Sequence, residues 1–164
     1  MSAIPSIDVT LFRALHLATR QVTAEVEQQL QEAAGVSLPE FHILNALSMS
    51  PEHRARPREI GDMLGWEKSR TSHQVTRMQK RGLLERFECA ADMRGTWVVL
   101  TPAGAQATLA AEPAYVAAIE EQLGSFAPSK DRESLARQLL EIGRGANPAV
   151  CQGEVAVLES ALNP

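Results

Sequence analysis

The chain has little cysteine. Cys89 and Cys151 lie far apart and have no C-x-x-C partner, which excludes a disulfide framework and a zinc knuckle. No uninterrupted apolar run approaches the roughly 18 residues needed to cross a bilayer, so no membrane partner is expected. The opening residues Met1-Ser2-Ala3-Ile4-Pro5 lack a basic lead-in followed by an apolar stretch; no secretory signal is expected, and a cytoplasmic location is. Catalytic signatures are missing too. There is no G-x-S-x-G, no glycine-rich phosphate loop after a strand and no H-E-x-x-H, and the carboxylates are scattered singly along helical faces. No enzyme activity, catalytic residue or cofactor is expected. The four histidines, His16, His42, His53 and His73, include no pair at i, i+4 and have no Cys or acid cluster beside them, so no metal site is expected. Internal repeats and low-complexity segments are likewise absent.

What the sequence does contain is an ordinary globular composition, 45% hydrophobic and 22% charged over 164 residues. That fits one domain with a real core. The formal net charge of -4 conceals an uneven distribution. Between Arg54 and Arg81 stand eight basic residues against three acids, a local excess of +5 that leaves -9 for the rest. Such asymmetry is expected where one face meets DNA and the remainder repels it; a solvated charged face is the alternative.

Hydrophobic periodicity predicts a long helix over residues 7–34, with Ile7, Leu11, Leu15, Ala18, Val22, Val26 and Leu30 on one stripe and Gly35 as its stop. Ser37-Leu38-Pro39-Glu40 reads as the start of a second helix, closed by Pro51. A polar connection from Pro51 to Arg56 follows. Pro57 then opens a short helix to Leu64, with Gly65 as a turn. A basic helix runs from about Glu67 to Arg81 and stops at Gly82. Residues 83–89 and 96–101 are β-prone and are joined by a charged tip, predicting a two-stranded hairpin. Beyond Pro102 a helix is expected to kink or break at Pro113. A further helix opens at Pro128-Ser129 and ends at Gly143 to Pro148, and the tail containing Val155 and Leu162 forms a short terminal helix.

A short helix, a tight turn, a basic helix and a hairpin, in that order, describe a winged helix-turn-helix, whose second helix enters the major groove. Val75 and Met78 are expected to anchor that helix inward. Ser69, Arg70, Ser72, His73, Thr76 and Arg77, with Lys68 at the helix start, are expected to face the groove, and Lys80 and Arg81 the flanking phosphates. The chain also resembles the MarR (multiple-antibiotic-resistance regulator) family of transcription factors, through Leu64-Gly65-Trp66-Glu67-Lys68-Ser69-Arg70, Lys80-Arg81-Gly82-Leu83-Leu84-Glu85-Arg86 and Asp92-Met93-Arg94-Gly95-Thr96-Trp97-Val98-Val99-Leu100-Thr101-Pro102-Ala103-Gly104. Gln74 departs from the aliphatic residue that the family often has at its position.

The resemblance implies a mainly α fold with a small β-wing. Residues 1–164 would form one domain, with the winged helix-turn-helix at 36–104 and an intertwined helical dimerisation region at 1–35 and 105–164. It also implies a homodimer on a pseudo-palindromic operator in double-stranded DNA, acting as a repressor released by a small-molecule effector. Arg94 would be the wing-tip arginine in the minor groove, supported by Asp92. The effector pocket, between the dimer helices and the winged domain, would draw on His16, Arg20, His42, Met49 and Trp66 and suit a lipophilic or anionic compound. Long apolar terminal helices independently call for a partner chain, a self-folded helical hairpin being the alternative. Two other functions stay open: a winged-helix interaction module without sequence-specific DNA binding, and a redox-responsive regulator using Cys89 or Cys151.

Overall fold

The computed structural model of the chain describes residues 6–88, 96–124, 128–146 and 152–163. Helix α1 spans Ile7–Ala34. The Ser6 hydroxyl accepts from the Val9 N–H at its start, and Gly35 ends it in the left-handed region at φ 63°, where a side chain would be strained. Helix α2, Leu38–Ser48, begins with a reciprocal capping box: the Ser37 N–H donates to the Glu40 carboxylate, and the Glu40 N–H to the Ser37 hydroxyl. After a 3₁₀ turn at Pro51–His53 comes a two-residue strand β1, Arg54–Ala55.

Helices α3 (Pro57–Leu64) and α4 (Lys68–Lys80) precede strands β2 (Leu84–Glu88) and β3 (Thr96–Leu100). The sheet is antiparallel in the order β1-β3-β2, with Leu84 opposite Leu100, Arg86 opposite Val98 and Ala55 also paired to Val98. The expected two-stranded hairpin is therefore corrected to three strands. Two residues are too few to show alternation, and β1 is held by backbone pairing and by the buried methyl of Ala55.

Helices α5 (Pro102–Gly124), α6 (Ser129–Ala146) and α7 (Gln152–Leu162) complete the chain. Pro113 does not break α5. It lies on the exposed side of the helix, and Leu109, whose carbonyl loses its intrahelical donor, is exposed as well; that carbonyl can turn to water. Helix α6 likewise continues through Gly143 and Gly145 to Ala146, because glycine lowers helix propensity without removing a hydrogen bond. Helix α7 folds back along α6, with Arg144 paired to Glu159 and Arg137 bonded to Asn163 and the Leu162 carbonyl.

The core centres on α2, whose Phe41, Ile43, Leu44 and Leu47 pack among Leu30, Val36, Ile60, Val75, Met78, Leu84, Val98, Ala111 and Ala118. Small buried residues on α5 let it lie along α1, and Phe41 meets the Tyr115 ring at 4.8 Å. Among the described residues no helix is long and apolar enough to cross a membrane.

Candidate nucleic-acid interface

The α3–α4 corner is tight by construction. Gly65 adopts φ 62°, the Trp66 N–H returns to the Gly61 carbonyl at 2.8 Å, and a Cβ on Gly61 would lie 3.1 Å from the Trp66 carbonyl and 3.2 Å from the Thr71 hydroxyl. Only glycine lets the two helices approach this closely without displacement. Thr71, Val75 and Met78 then bury one stripe of α4. Lys68, Ser69, Arg70, Ser72, His73, Arg77 and Lys80 are exposed, and Gln74 and Thr76 are half-buried.

The far end of α4 is fixed with equal care. The Gly82 N–H donates to the Gln79 carbonyl and the Leu83 N–H to the Met78 carbonyl, a Schellman ending made possible by φ 73° at Gly82. The Thr101 hydroxyl lies 2.8 Å from the Gly82 carbonyl and accepts from the Gly104 N–H at the start of α5. A Cβ on Gly104 would come within 2.2 Å of the Leu83 carbonyl, so α5 reaches this turn only with glycine there.

Several polar side chains on this surface are engaged within the chain. Thr76 donates to the Ser72 carbonyl at 2.9 Å and accepts from Arg86 of β2 at 3.0 Å, which ties α4 to β2. The Arg70 guanidinium lies 4.1 Å from the centre of the Trp66 ring, a cation–π contact that orients it. Arg81, expected beside the phosphates, is 44% exposed, and its guanidinium donates to Glu40 and to the Gly35 carbonyl, each at 2.7 Å. Glu40 is buried. Burial alone would raise its pKa, but the Ser37 N–H, the Arg81 guanidinium and the Ser37 hydroxyl outweigh it and hold the carboxyl below its ordinary value of 4.5.

Three arginines near the wing were not among the expected contacts. Arg54 and Arg56 lie 4.9 and 4.8 Å from the Trp97 ring centre, and Arg86 joins Thr76. An Arg-x-Arg spacing is the signal that a strand would place on one face, but the strand itself was not legible. Arg94, Asp92 and both cysteines lie outside the described residues.

Of the five expected pocket residues, His16 and Arg20 line a groove of about 420 Å³, together with Thr19, Thr23, Ala24 and Glu27, all on α1. His42, Met49 and Trp66 do not line it. Met49 is exposed, and Trp66 is half-buried under Arg70. Glu27 also accepts the Leu38 N–H at 2.6 Å, capping α2 from α1. Among the described residues, no three His, Cys, Asp or Glu side chains form a group that could hold a metal.

Residues 34–95 match the model of the MarR family. The chain is similar to two solved MarR family transcriptional regulators from Streptomyces coelicolor. Sco3205, solved in complex with DNA, is 26% identical, with a TM-score of 0.79 over 88% of this chain and 94% of that one. AbsC is 27% identical, with a TM-score of 0.79 over 90% and 99%. The organohalide-sensing regulator RdhR-CbdbA1625, in its 2,4-dichlorophenol-bound form, shares the fold at 18% identity, with a TM-score of 0.72 over 90% and 88%. No curated protein matches the chain by sequence.

Proposed function

With a MarR-family winged helix over residues 34–95 as the premise, we propose that the chain is a homodimeric transcriptional regulator that reads a pseudo-palindromic operator and acts as a repressor released by a small molecule. The observation that carries this reading is α4, which has three buried anchors on one side and an exposed polar and basic face on the other. Ser69, Arg70, Ser72, His73 and Arg77 would meet base edges, where arginine can pair bidentately with guanine. Lys68 at the helix start would face the groove and Lys80 would meet phosphates, and Thr76 would hold the helix to the wing through Arg86. Arg94, supported by Asp92, would enter a narrow A·T-rich minor groove. Similarity to a regulator solved on DNA supports the partner.

The homodimer reading is supported by apolar surface that one chain leaves uncovered: Ile7, Leu11 and Phe12 of α1, Leu109 and Val116 of α5, and Ile142 of α6. A second copy is the economical cover. His16 and Arg20 would meet the effector in the α1 groove, Arg20 favouring an anionic group. Release requires that the effector bind the non-reading arrangement more tightly than the DNA-bound one. Footprinting of the gene's upstream region tests the reading. The expected result is two protected half-sites about one helical turn, ~34 Å, apart; uniform cleavage at saturating protein would overturn it.

A further inference from the structure

The residues that join α4 to the rest of the chain include one whose role differs from the one its sequence position suggests. Arg81 follows the last residue of α4, in a run Lys80-Arg81-Gly82 that reads as phosphate-binding. Its guanidinium nevertheless bridges two other elements. One nitrogen donates to buried Glu40 in the first turn of α2, and the other to the carbonyl of Gly35 at the end of α1, both at 2.7 Å. Glu40 is in turn fixed by the Ser37 hydroxyl at 2.9 Å and backbone N–H at 2.8 Å. The ends of three helices therefore meet at one ion pair whose acid is almost wholly shielded from water, the side chain being 4% exposed.

We propose that Arg81 is a positioning residue for DNA reading: its pairing with Glu40 and Gly35 locks the C-terminal end of the recognition helix to the α1–α2 corner. The proposal rests on the DNA-reading function and deepens it. Two physical consequences follow. A guanidinium whose charge is matched by a carboxylate 2.7 Å away presents little net charge to a phosphate, so its removal should change the number of counterions released on binding very little. A buried carboxylate that loses its cation is left uncompensated, so the corner loosens and α4 loses its fixed angle to α1.

The test uses the full chain with Arg81→Met, which keeps an aliphatic stem, Glu40→Gln, which keeps the capping geometry, and the double variant. Melting curves first set a temperature at which all are folded. Fluorescence anisotropy on the upstream duplex and on a scrambled duplex is then measured at several salt concentrations. The expected result is a loss of roughly 10-fold in affinity for the upstream duplex in both single variants. The double variant should be little worse than either, and the salt slope should change very little. A slope reduced by about 0.9 in Arg81→Met, with Glu40→Gln binding as the unaltered chain does, would place Arg81 on a phosphate and overturn the proposal. Hydrogen exchange on the DNA-free protein gives an independent readout if the unaltered chain does not distinguish the two duplexes, the outcome that would sink the DNA reading itself. Faster exchange in the last turn of α4 in Glu40→Gln supports the lock, and an unchanged rate there overturns it.

Discussion

The winged lobe and the terminal helices solve the burial problem in opposite ways. In the lobe every large apolar side chain of α2 that points inward is covered by the same chain, with Ile43, Leu44 and Leu47 fully buried. The first half of α1 has almost no cover: Ile7 is 78% and Phe12 70% exposed, and only its second half, at Val26 and Leu30, is buried. Apolar side chains recur along the helices of both regions. The difference lies in what the periodic face meets, its own chain in the lobe and a second chain, on the proposed reading, at the termini.

The sharpest way to break this contrast is to charge the uncovered face. Leu11→Asp combined with Phe12→Asp should leave a folded monomer by sedimentation and lower upstream-DNA affinity by about 100-fold or more, because the second half-site no longer adds its effective concentration. A variant that stayed dimeric would refute the assigned interface. Next in size is Met78→Ala, which opens a cavity beneath the recognition helix and should cost about 2 to 5 kcal/mol in urea unfolding. Its shift should not depend on protein concentration, whereas Leu109→Ala on α5 should change the concentration dependence of the Tm.

Smaller still is Arg70→Ala, expected to cost about 1 to 3 kcal/mol of operator binding and to relax base preference, as read by competition with point-substituted duplexes. The smallest effect concerns the Glu40–Arg81 pair and pH. Glu40 has a folded pKa below its ordinary value. Its contribution to stability is therefore present above the ordinary value of 4.5 and is lost as pH falls through the lower folded value. Urea midpoints of the unaltered chain and of Glu40→Gln should stay a constant distance apart from pH 7 to about 5 and converge at more acid pH.

Much of the fold was legible because its boundaries are made by local chemistry. Gly35, Gly65 and Gly82 stop helices by taking positive φ, and Ser37 with Glu40 starts one through four consecutive residues; the sequence carries such signals outright. Val75 and Met78 were legible as anchors because helical spacing puts them on one stripe. What escaped depends on distant partners. The two-residue β1 exists only because β3 is there to pair with it. In sequence Arg81 looks like any other cation; only the fold brings it to Glu40, 41 residues away. Helical faces likewise show which residues on one element align, as His16 and Arg20 do along the α1 groove, but not which other elements close over them.

On the proposed reading, α4 and its neighbours read a DNA sequence. Anisotropy titration of a labelled duplex from the gene's own upstream region, across several salt concentrations and against a scrambled duplex of equal length, tests it most directly. Nanomolar binding with at least a ~10³-fold preference for the upstream duplex is the expected result. Binding of both duplexes alike, with affinity collapsing as salt rises, would contradict it and leave only a basic surface.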